Sequence, residues 1–269
     1  MEALGYIAAI FIGIVLGLIG GGGSILTVPV LVYLMGIDAV LATAYSLFVV
    51  GASSAVGAVN NYRQGLIDVR TAVVFAMPSL VAVYLTRLFL VPSIPVLLFS
   101  IGNLTVTRDL AIMMLFAVVM VIAAVSMLRG KSCDTPAADT DARKPYNYPL
   151  IATEGVGVGI LTGIVAAGGG FLILPALVLL VRLPMKVAVG TSLLIITVKS
   201  LIGFLGDLQA GQDIAWDFLG VFTGLAVLGI VIGSFLGQFI PGHKLKRGFG
   251  WFVLLMAAVI IWQELTQGP

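Results

Sequence analysis

The sequence predicts an all-α integral membrane protein made of two inverted-topology repeats, and three observations lead to this prediction. Hydrophobic residues make up 60% of the 269 residues and charged residues only 10%, whereas about 25% of a soluble domain is charged. The apolar residues form runs of about 20, which is the length of a helix across a bilayer, without the alternating polarity of a transmembrane β-barrel. Finally, one pattern of glycine, proline and serine occurs twice along the chain.

The duplicated pattern begins with a run of glycines in each half, Gly20 to Gly23 and Gly168 to Gly170. One numbering offset (175 − 29 = 192 − 46 = 146) then holds over several positions, which indicates an internal duplication. In an apolar chain, such a repeat is typical of transporters whose site lies between the halves. The matching residues are Pro29 and Pro175, Ser46 and Ser192, Gly57 and Gly203, and Gly65 and Gly211.

The longest polar stretch, Arg129 to Asn147, separates the two copies and is rich in Pro, Ala, Asp and Thr. This composition predicts a disordered connector. We therefore divide the chain into a first membrane repeat at 1–128, a cytoplasmic linker at 129–148 and a second membrane repeat at 149–269. The single Cys133 lies in the linker, so no disulfide within the chain is expected.

Eight apolar segments follow one another, and the first and the fifth are anomalous. As one helix, Ala3 to Gly36 would be about 51 Å long, too long for a hydrocarbon core of roughly 30 Å. Because a glycine run interrupts both segments, we predict that each is a helical hairpin facing the interior between the halves. Each repeat then contains a hairpin and about three crossings. The segments are Ala3 to Gly36, Ala39 to Asn60, Thr71 to Val91, Leu110 to Leu128, Leu150 to Val181, Val187 to Gly206, Phe218 to Phe239 and Gly250 to Gln263.

The basic residues predict the orientation of the chain in a cell membrane. With three crossings per repeat the halves are inverted, and one face receives eleven of the 14 Lys and Arg residues, which marks it as cytoplasmic. Both termini then lie outside, with Arg87 and Arg108. We also place Ser93 to Thr107 at the outer surface, with entry of this segment into the membrane as the alternative. The cytoplasmic set is Arg63, Arg70, Arg129, Lys131, Arg143, Lys144, Arg182, Lys186, Lys244, Lys246 and Arg247.

Short strings of the second repeat occur in a recognisable order after the glycine run and Pro175. They are Leu183-Pro184-Met185-Lys186, Ala188-Val189-Gly190-Thr191-Ser192-Leu193, the stretch from Gly203 to Gly211, and Leu245-Lys246-Arg247-Gly248-Phe249. This order resembles the TauE/SafE family of sulfite and organosulfonate exporters, over nearly the whole chain. The resemblance implies transport of a small sulfur-containing anion such as sulfite, sulfoacetate or thiosulfate, driven by a proton or sodium gradient.

The glycine runs are candidate cradles for such an anion. The N-terminal ends of broken helices expose unpaired N–H groups that favour negative charge, and glycine lets an oxyanion approach the backbone. Alternatively, the glycines serve only close helix packing. The predicted binding residues in the two runs are Gly21, Gly22, Gly23 and Ser24, and Gly168, Gly169 and Gly170.

Three hydroxyl residues, Ser46, Thr191 and Ser192, lie near the start of the helices that follow the hairpins. We predict that they donate to the oxygens of the substrate. Alternatively, they bond to a backbone carbonyl one turn earlier, as Ser and Thr often do in membrane helices. The first repeat has Tyr45 where the second has Thr191, so only the serine has an identical counterpart.

Lys199 is the one formal charge well inside a predicted span. An ammonium at this depth costs a few kcal/mol unless it faces a cavity, an acid or an anion. We therefore include Lys199 among the substrate-binding residues. The alternative is that its side chain extends to the outer interface, where Asp207 would be its partner.

The composition gives little support to an enzyme. The single histidine, His243, lies in a basic loop, so neither a Ser/His pair nor a His metal cluster can form within the membrane. The glycine runs lack the Lys-Ser/Thr ending of a phosphate-binding loop. We predict no cofactor, no metal and no nucleic acid, and we expect the basic loop to face anionic lipid.

Three classes of function remain open on these grounds. The first is a secondary transporter with alternating access at the repeat interface. The second is a passive anion channel with the same lining, and the third is a membrane subunit for assembly or sensing that transports nothing. A dependence of flux on protons or sodium separates the first two.

Overall fold

The computed structural model of the chain describes residues 2–21, 23–90, 97–101, 104–129, 148–165, 170–179, 181, 183–209 and 214–267. These residues form ten α-helices, two short π-helical segments (Val30–Leu34 and Thr86–Leu90) and one pair of short strands, which confirms the predicted helical class. The predicted linker lies outside the described residues except for its two end positions. Gly22, Gly168 and Gly169 also lie outside them.

Each half of the chain contributes five of these helices. Two form the arms of a hairpin and three follow it, as the apolar segments predicted. The first half contains α1 (Glu2–Ile19), α2 (Gly23–Pro29), α3 (Ala39–Arg63), α4 (Val69–Leu85) and α5 (Arg108–Arg129). The second half contains α6 (Tyr148–Val165), α7 (Gly170–Leu179), α8 (Met185–Gln209), α9 (Trp216–Phe239) and α10 (Gly242–Gln267).

Four described helical stretches are long and apolar enough to cross a membrane, and shorter apolar stretches accompany them. The hydrophobic side chains exposed on the helices fit the same interpretation, because lipid covers them in a membrane. The protein is therefore membrane-embedded. The four long stretches are Leu41–Arg63, Met185–Leu205, Trp216–Phe239 and Gly242–Trp262.

Local chemistry explains two helix ends that matter for the site. α1 ends before Gly20, whose φ of +72° lies in the left-handed region, where a side chain would be strained. α4 begins after Asp68, whose Oδ1 accepts a hydrogen bond from the Thr71 backbone N–H at 3.1 Å. Asp68 Oδ2 also accepts from Thr71 Oγ1 at 2.7 Å. Asp68 is thus an N-cap that satisfies a free donor of the first turn.

The segment from Ser93 to Thr107 contains a strand pair that the sequence analysis did not predict. β1 (Leu97–Ile101) and β2 (Leu104–Thr107) pair antiparallel, with Ile101 opposite Leu104. Both strands are rich in β-branched and other apolar residues, and a Gly-Asn dipeptide typical of hairpin turns separates them in the sequence. The run is too short for a helix that crosses the membrane.

The two halves pack against each other in a reciprocal pattern. α1 packs along α9, and α4 packs along α6, so the first helix of each half lies against the fourth helix of the other. Equivalent helices of the two halves also pack together, because α3 packs against α8, α5 against α10, and α2 touches α7. Two similar units related by a two-fold axis produce this pattern of contacts.

The equivalent helices α3 and α8 run antiparallel. Gly51 lies against Leu201, and Gly190 lies against Asn61, so residue numbers rise along one helix as they fall along the other. These two helices form the centre of the contact between the halves, because they also touch α9 and α4, respectively.

Glycines allow α1 and α9 to pack backbone against backbone. Gly13 faces Gly229 and Gly17 faces Gly233, so the two helices run parallel. A Cβ atom on Gly17 would lie 2.5 Å from the carbonyl oxygen of Ile230. A spacing of four residues between small side chains is typical of such close helix pairs in membranes.

The pair formed by α4 and α6 repeats this arrangement. A Cβ atom on Gly155 would lie 2.6 Å from the carbonyl oxygen of Phe75, and one on Gly159 would lie 2.6 Å from that of Ser79. Phe75 is fully buried, and so is Phe222 of α9, which the duplication makes its counterpart to within one position (222 − 75 = 147). The duplication thus extends to the core of each helix pair.

We predict that Gly159→Ala destabilises the protein whereas Gly157→Ala does not. The added methyl group at position 159 forces α4 and α6 apart, at a cost of about 1–3 kcal/mol. Position 157 is the matched control on the same helix, because a Cβ atom there meets nothing within 4 Å. Thermal unfolding of the purified protein in detergent measures both effects. Equal melting temperatures for the two variants would contradict this account of the helix pair.

Candidate functional site

The first glycine loop is bonded to a helix of the other half. Ser192 in α8 is fully buried, and its Oγ lies 2.7 Å from the carbonyl oxygen of Gly20. The same hydroxyl lies 2.8 Å from the carbonyl oxygen of Val189, one turn earlier in its own helix. The single hydroxyl hydrogen is shared between these two carbonyl oxygens. Ser192 thus makes the backbone contact that was the alternative to substrate binding and also bridges the repeat interface.

The approach of the loop to α8 leaves no room for a side chain at Gly20. A Cβ atom there would lie 2.7 Å from Ser192 Oγ and 2.9 Å from Val189 Cα. The positive φ of Gly20 adds a second reason for glycine. The backbone at the break after α1 therefore packs directly against the first turns of α8.

Thr191 and Tyr45 make matching hydrogen bonds across the halves. Thr191 Oγ1 accepts from the backbone N–H of Asp68 at 3.1 Å, and Tyr45 Oη accepts from the backbone N–H of Ala215 at 2.8 Å. The duplication relates the two hydroxyls (191 − 45 = 146) and, to within one position, the two N–H groups (215 − 68 = 147). Each hydroxyl therefore holds the start of the fourth helix in the opposite half. Tyr45 was not among the predicted residues, although the numbering offset identifies it.

Of the remaining described residues that were predicted, the glycines lie in or beside the two hairpins. Ser46 lies elsewhere on α3, next to Leu47, which packs against Gly203 of α8. Gly21 lies in the bend after α1 and is buried, while Gly23 begins α2 and Gly170 begins α7. Ser46 is buried in α3. The second arms of both hairpins, α2 and α7, touch each other. The Ser24 side chain lies outside the described part of the chain, as do Gly22, Gly168 and Gly169.

Lys199 lies two turns further along α8 in a separate polar cluster. Its Nζ is 3.2 Å from Ser79 Oγ of α4 and 3.5 Å from Thr162 Oγ1 of α6, and the residue is 9% exposed. The side chain therefore points into the helix bundle and does not extend to the outer interface. Ser53 stands at the corresponding position of the first half (199 − 53 = 146), so the duplication does not repeat this lysine.

A cavity of about 270 Å³ opens at one end of the bundle. We call this the basic end, because α3 and α9 end there and α8 and α10 begin there, bringing in Arg63, Lys186, Lys244, Lys246 and Arg247. Gly17 and Val189 line the cavity. Because these residues flank Gly20 and Ser192 in sequence, the cavity reaches the contact between the loop and α8.

The opposite end of the bundle is filled by aromatic side chains. We call it the aromatic end, where α3 and α9 begin and α8 ends. Neighbouring ring centroids lie 4.9–6.2 Å apart, the range in which aromatic pairs attract. The rings belong to both halves and come from Tyr6, Tyr45, Phe48, Phe204, Trp216, Phe218 and Phe222.

The sequence of the chain matches one known protein family. The sequence profile described as "Sulfite exporter TauE/SafE" matches residues 5–260. The chain belongs to the TauE/SafE family. This is a family of membrane transporters, as the resemblance in the sequence predicted.

Several curated relatives agree with this membership. A "Probable membrane transporter protein" of Xylella fastidiosa strain 9a5c is 30% identical over 259 residues, covering 94% of this chain and 92% of the relative. The protein of the same name from strain Temecula1 is 30% identical over 257 residues, with the same coverage. The "Probable membrane transporter protein YunE" of Bacillus subtilis is 26% identical over 262 residues, covering 87% of this chain and 86% of the relative. No solved structure matches the chain significantly.

We predict that Tyr45→Phe lowers the stability of the protein. The substitution keeps the ring and removes the acceptor of the Ala215 N–H. Because Ala215 is exposed and water can replace the acceptor, loss of this hydrogen bond costs about 0.5–1.5 kcal/mol. Tyr62→Phe is the matched control, since Tyr62 lies in the last turn of the same helix but is 66% exposed. The melting temperatures in detergent should fall for Tyr45→Phe alone. Equal melting temperatures for both variants would show that the hydroxyl group of Tyr45 contributes no stability.

Proposed function

We propose that this family member is a secondary transporter of small sulfur-containing anions such as sulfite, sulfoacetate or thiosulfate. The observation that carries the proposal is the contact of Gly20 with Ser192, which joins the broken hairpin of one half to the other half. Irregular backbone at membrane depth is found where it is buried in protein or lines a cavity. The substrate site then lies at the repeat interface beside the glycine loops.

The packing of the helices supports an inverted arrangement of the halves. Equivalent helices that pack antiparallel, as α3 and α8 do, are related by an axis perpendicular to their own direction. When the helices cross a membrane, that axis lies in the membrane plane and the two halves have opposite orientations. Transporters of this construction alternate by moving one part against the other around the site.

The difference between the two ends of the bundle, one open and one closed, also supports alternating access. The basic end is open to the cavity, whereas aromatic rings from both halves fill the aromatic end. By the excess of Lys and Arg, the basic end faces the cytoplasm of the cell membrane. The conformation is then open to the cytoplasm, and transport requires a second conformation in which the aromatic rings separate.

Lys199 is our candidate for the coupling of transport to a proton or sodium gradient. Its own amine lies within hydrogen-bonding reach of side chains on α4 and α6. These helices belong to different halves, so their interface would move between the two conformations. The side chain of Lys199 is 9% exposed and lies between helices of both halves. Ser79 and Thr162 hold the amine in place between α4 and α6.

We predict that Lys199→Ala reduces gradient-driven uptake about tenfold or more. Loss of a charge-assisted hydrogen bond is worth about 1.5–3 kcal/mol, which corresponds to at least that factor. The assay uses purified protein in liposomes and labelled sulfite, sulfoacetate, thiosulfate and sulfate, each with and without a pH or sodium gradient. Lys244→Ala is the control, since Lys244 is an exposed residue at the basic end.

The outcomes of this assay separate the alternatives. Uptake of one anion that the gradient accelerates, and that Lys199→Ala loses, is the result we expect. Uptake that no gradient changes would identify a passive channel instead. Uptake of none of these anions by the wild-type protein would overturn the assignment to sulfur-containing anions.

A further inference from the structure

The cavity at the basic end has a polar lining with a single charged side chain among the described residues. Of the described residues that line it, Lys186 carries the one formal charge, and none is acidic. Its other polar residues are Asn61, Gln64, Ser234 and Gln238. A small space with one cation and several neutral polar groups fits a small anion, because no carboxylate of the described lining would repel it.

Two of these side chains have hydrogen-bonding capacity to spare. Lys186 Nζ donates to the backbone carbonyl oxygen of Gln238 at 3.0 Å, and an ammonium has three donors. Asn61 Nδ2 donates to the carbonyl oxygen of Gly57 at 2.8 Å, and an amide nitrogen has two. The amine and the amide thus keep N–H groups for a ligand while these contacts hold the side chains in place.

Ser234 provides an independent indication of a ligand. Its residue is only 7% exposed, and its Oγ is buried without a hydrogen-bond partner among the described residues. A buried hydroxyl without a partner is costly, and Ser234 also lines the cavity. An anion in the cavity would supply the missing acceptor.

We propose that this cavity binds the transported anion as it enters or leaves on the basic side, with Lys186 as the residue that recognises its charge. The inference deepens the proposed function and rests on it for the identity of the ligand, a small oxyanion of sulfur. The cavity reaches Gly17 and Val189, so an anion held by Lys186 lies next to the Gly20–Ser192 contact. Val40 stands at the corresponding position of the first half (186 − 40 = 146), so the duplication supplies this lysine on one side alone.

Binding to the purified protein tests the inference without transport. Isothermal titration with sodium sulfite, sulfoacetate and thiosulfate gives a dissociation constant for the wild type and for each variant. We expect Lys186→Gln to weaken binding of the preferred anion about tenfold or more, and Lys186→Arg to retain most of it. Lys244→Gln is the matched control, because it removes an exposed charge of the same end that does not line the cavity.

Transport measured from each side gives the second readout. In liposomes of known orientation, Lys186→Gln should raise the KM for anion presented at the basic end and leave the KM at the other end unchanged. A Ser234→Ala variant should show the same one-sided change, since it removes the hydroxyl without altering charge. Melting temperatures confirm that both variants are folded.

The outcomes distinguish a failure of this inference from a failure of the proposed function. Equal dissociation constants for wild type and Lys186→Gln, or wild-type protein that binds none of the three anions, would overturn the anion site. Binding that Lys186→Gln loses, together with no flux of any anion, would retain the site and overturn the transporter. An effect of Lys244→Gln as large as that of Lys186→Gln would show that only the overall charge of the basic end matters, and would overturn the role of Lys186.

Discussion

The carbonyl of Gly20 is the backbone group on which the rest of the arrangement depends. A helix that breaks inside a membrane exposes carbonyl and N–H groups that hydrocarbon cannot satisfy. Ser192 donates to this carbonyl from the other half of the chain, so the first half does not satisfy its own break. The halves must therefore pack with the first hairpin against α8, whose Val189 lines the cavity.

The duplication gives the protein a symmetric frame, and departures from it give the two ends different properties. Helix pairs, glycine contacts and the bonds of Tyr45 and Thr191 recur in both halves. Lys186 and Lys199 have Val40 and Ser53 at the corresponding positions. The contacts that recur in both halves stabilise the packing of the helices. The two lysines have no counterpart and place positive charge at the cavity and inside the helix bundle.

Much of the fold was predictable because it depends on length and periodicity, whereas the site depends on distant pairings. The glycine runs and the segment lengths predicted the hairpins, and the numbering offset predicted the equivalence of Ser46 with Ser192. The offset also pairs Tyr45 with Thr191, but Tyr45 was not predicted as a site residue because a phenol and an alcohol differ in residue type, although each accepts a hydrogen bond from a backbone N–H. Lys186 was interpreted only as an orientation signal. The cavity that it lines is formed by helices of both halves, and the sequence does not show that these helices meet. The strands at 97–107 were missed because apolar runs of that length are ambiguous.

The central claim is that the two halves are inverted, and labelling of one equivalent pair of residues tests it most directly. Val69 and Trp216 begin α4 and α9, correspond to each other in the duplication (216 − 69 = 147) and are 45% and 54% exposed. In a Cys133→Ser background, Val69→Cys and Trp216→Cys are treated with a membrane-impermeant maleimide in right-side-out vesicles. The account predicts labelling of Trp216→Cys in intact vesicles and of Val69→Cys only after permeabilisation. Labelling of both positions from the same side would contradict it.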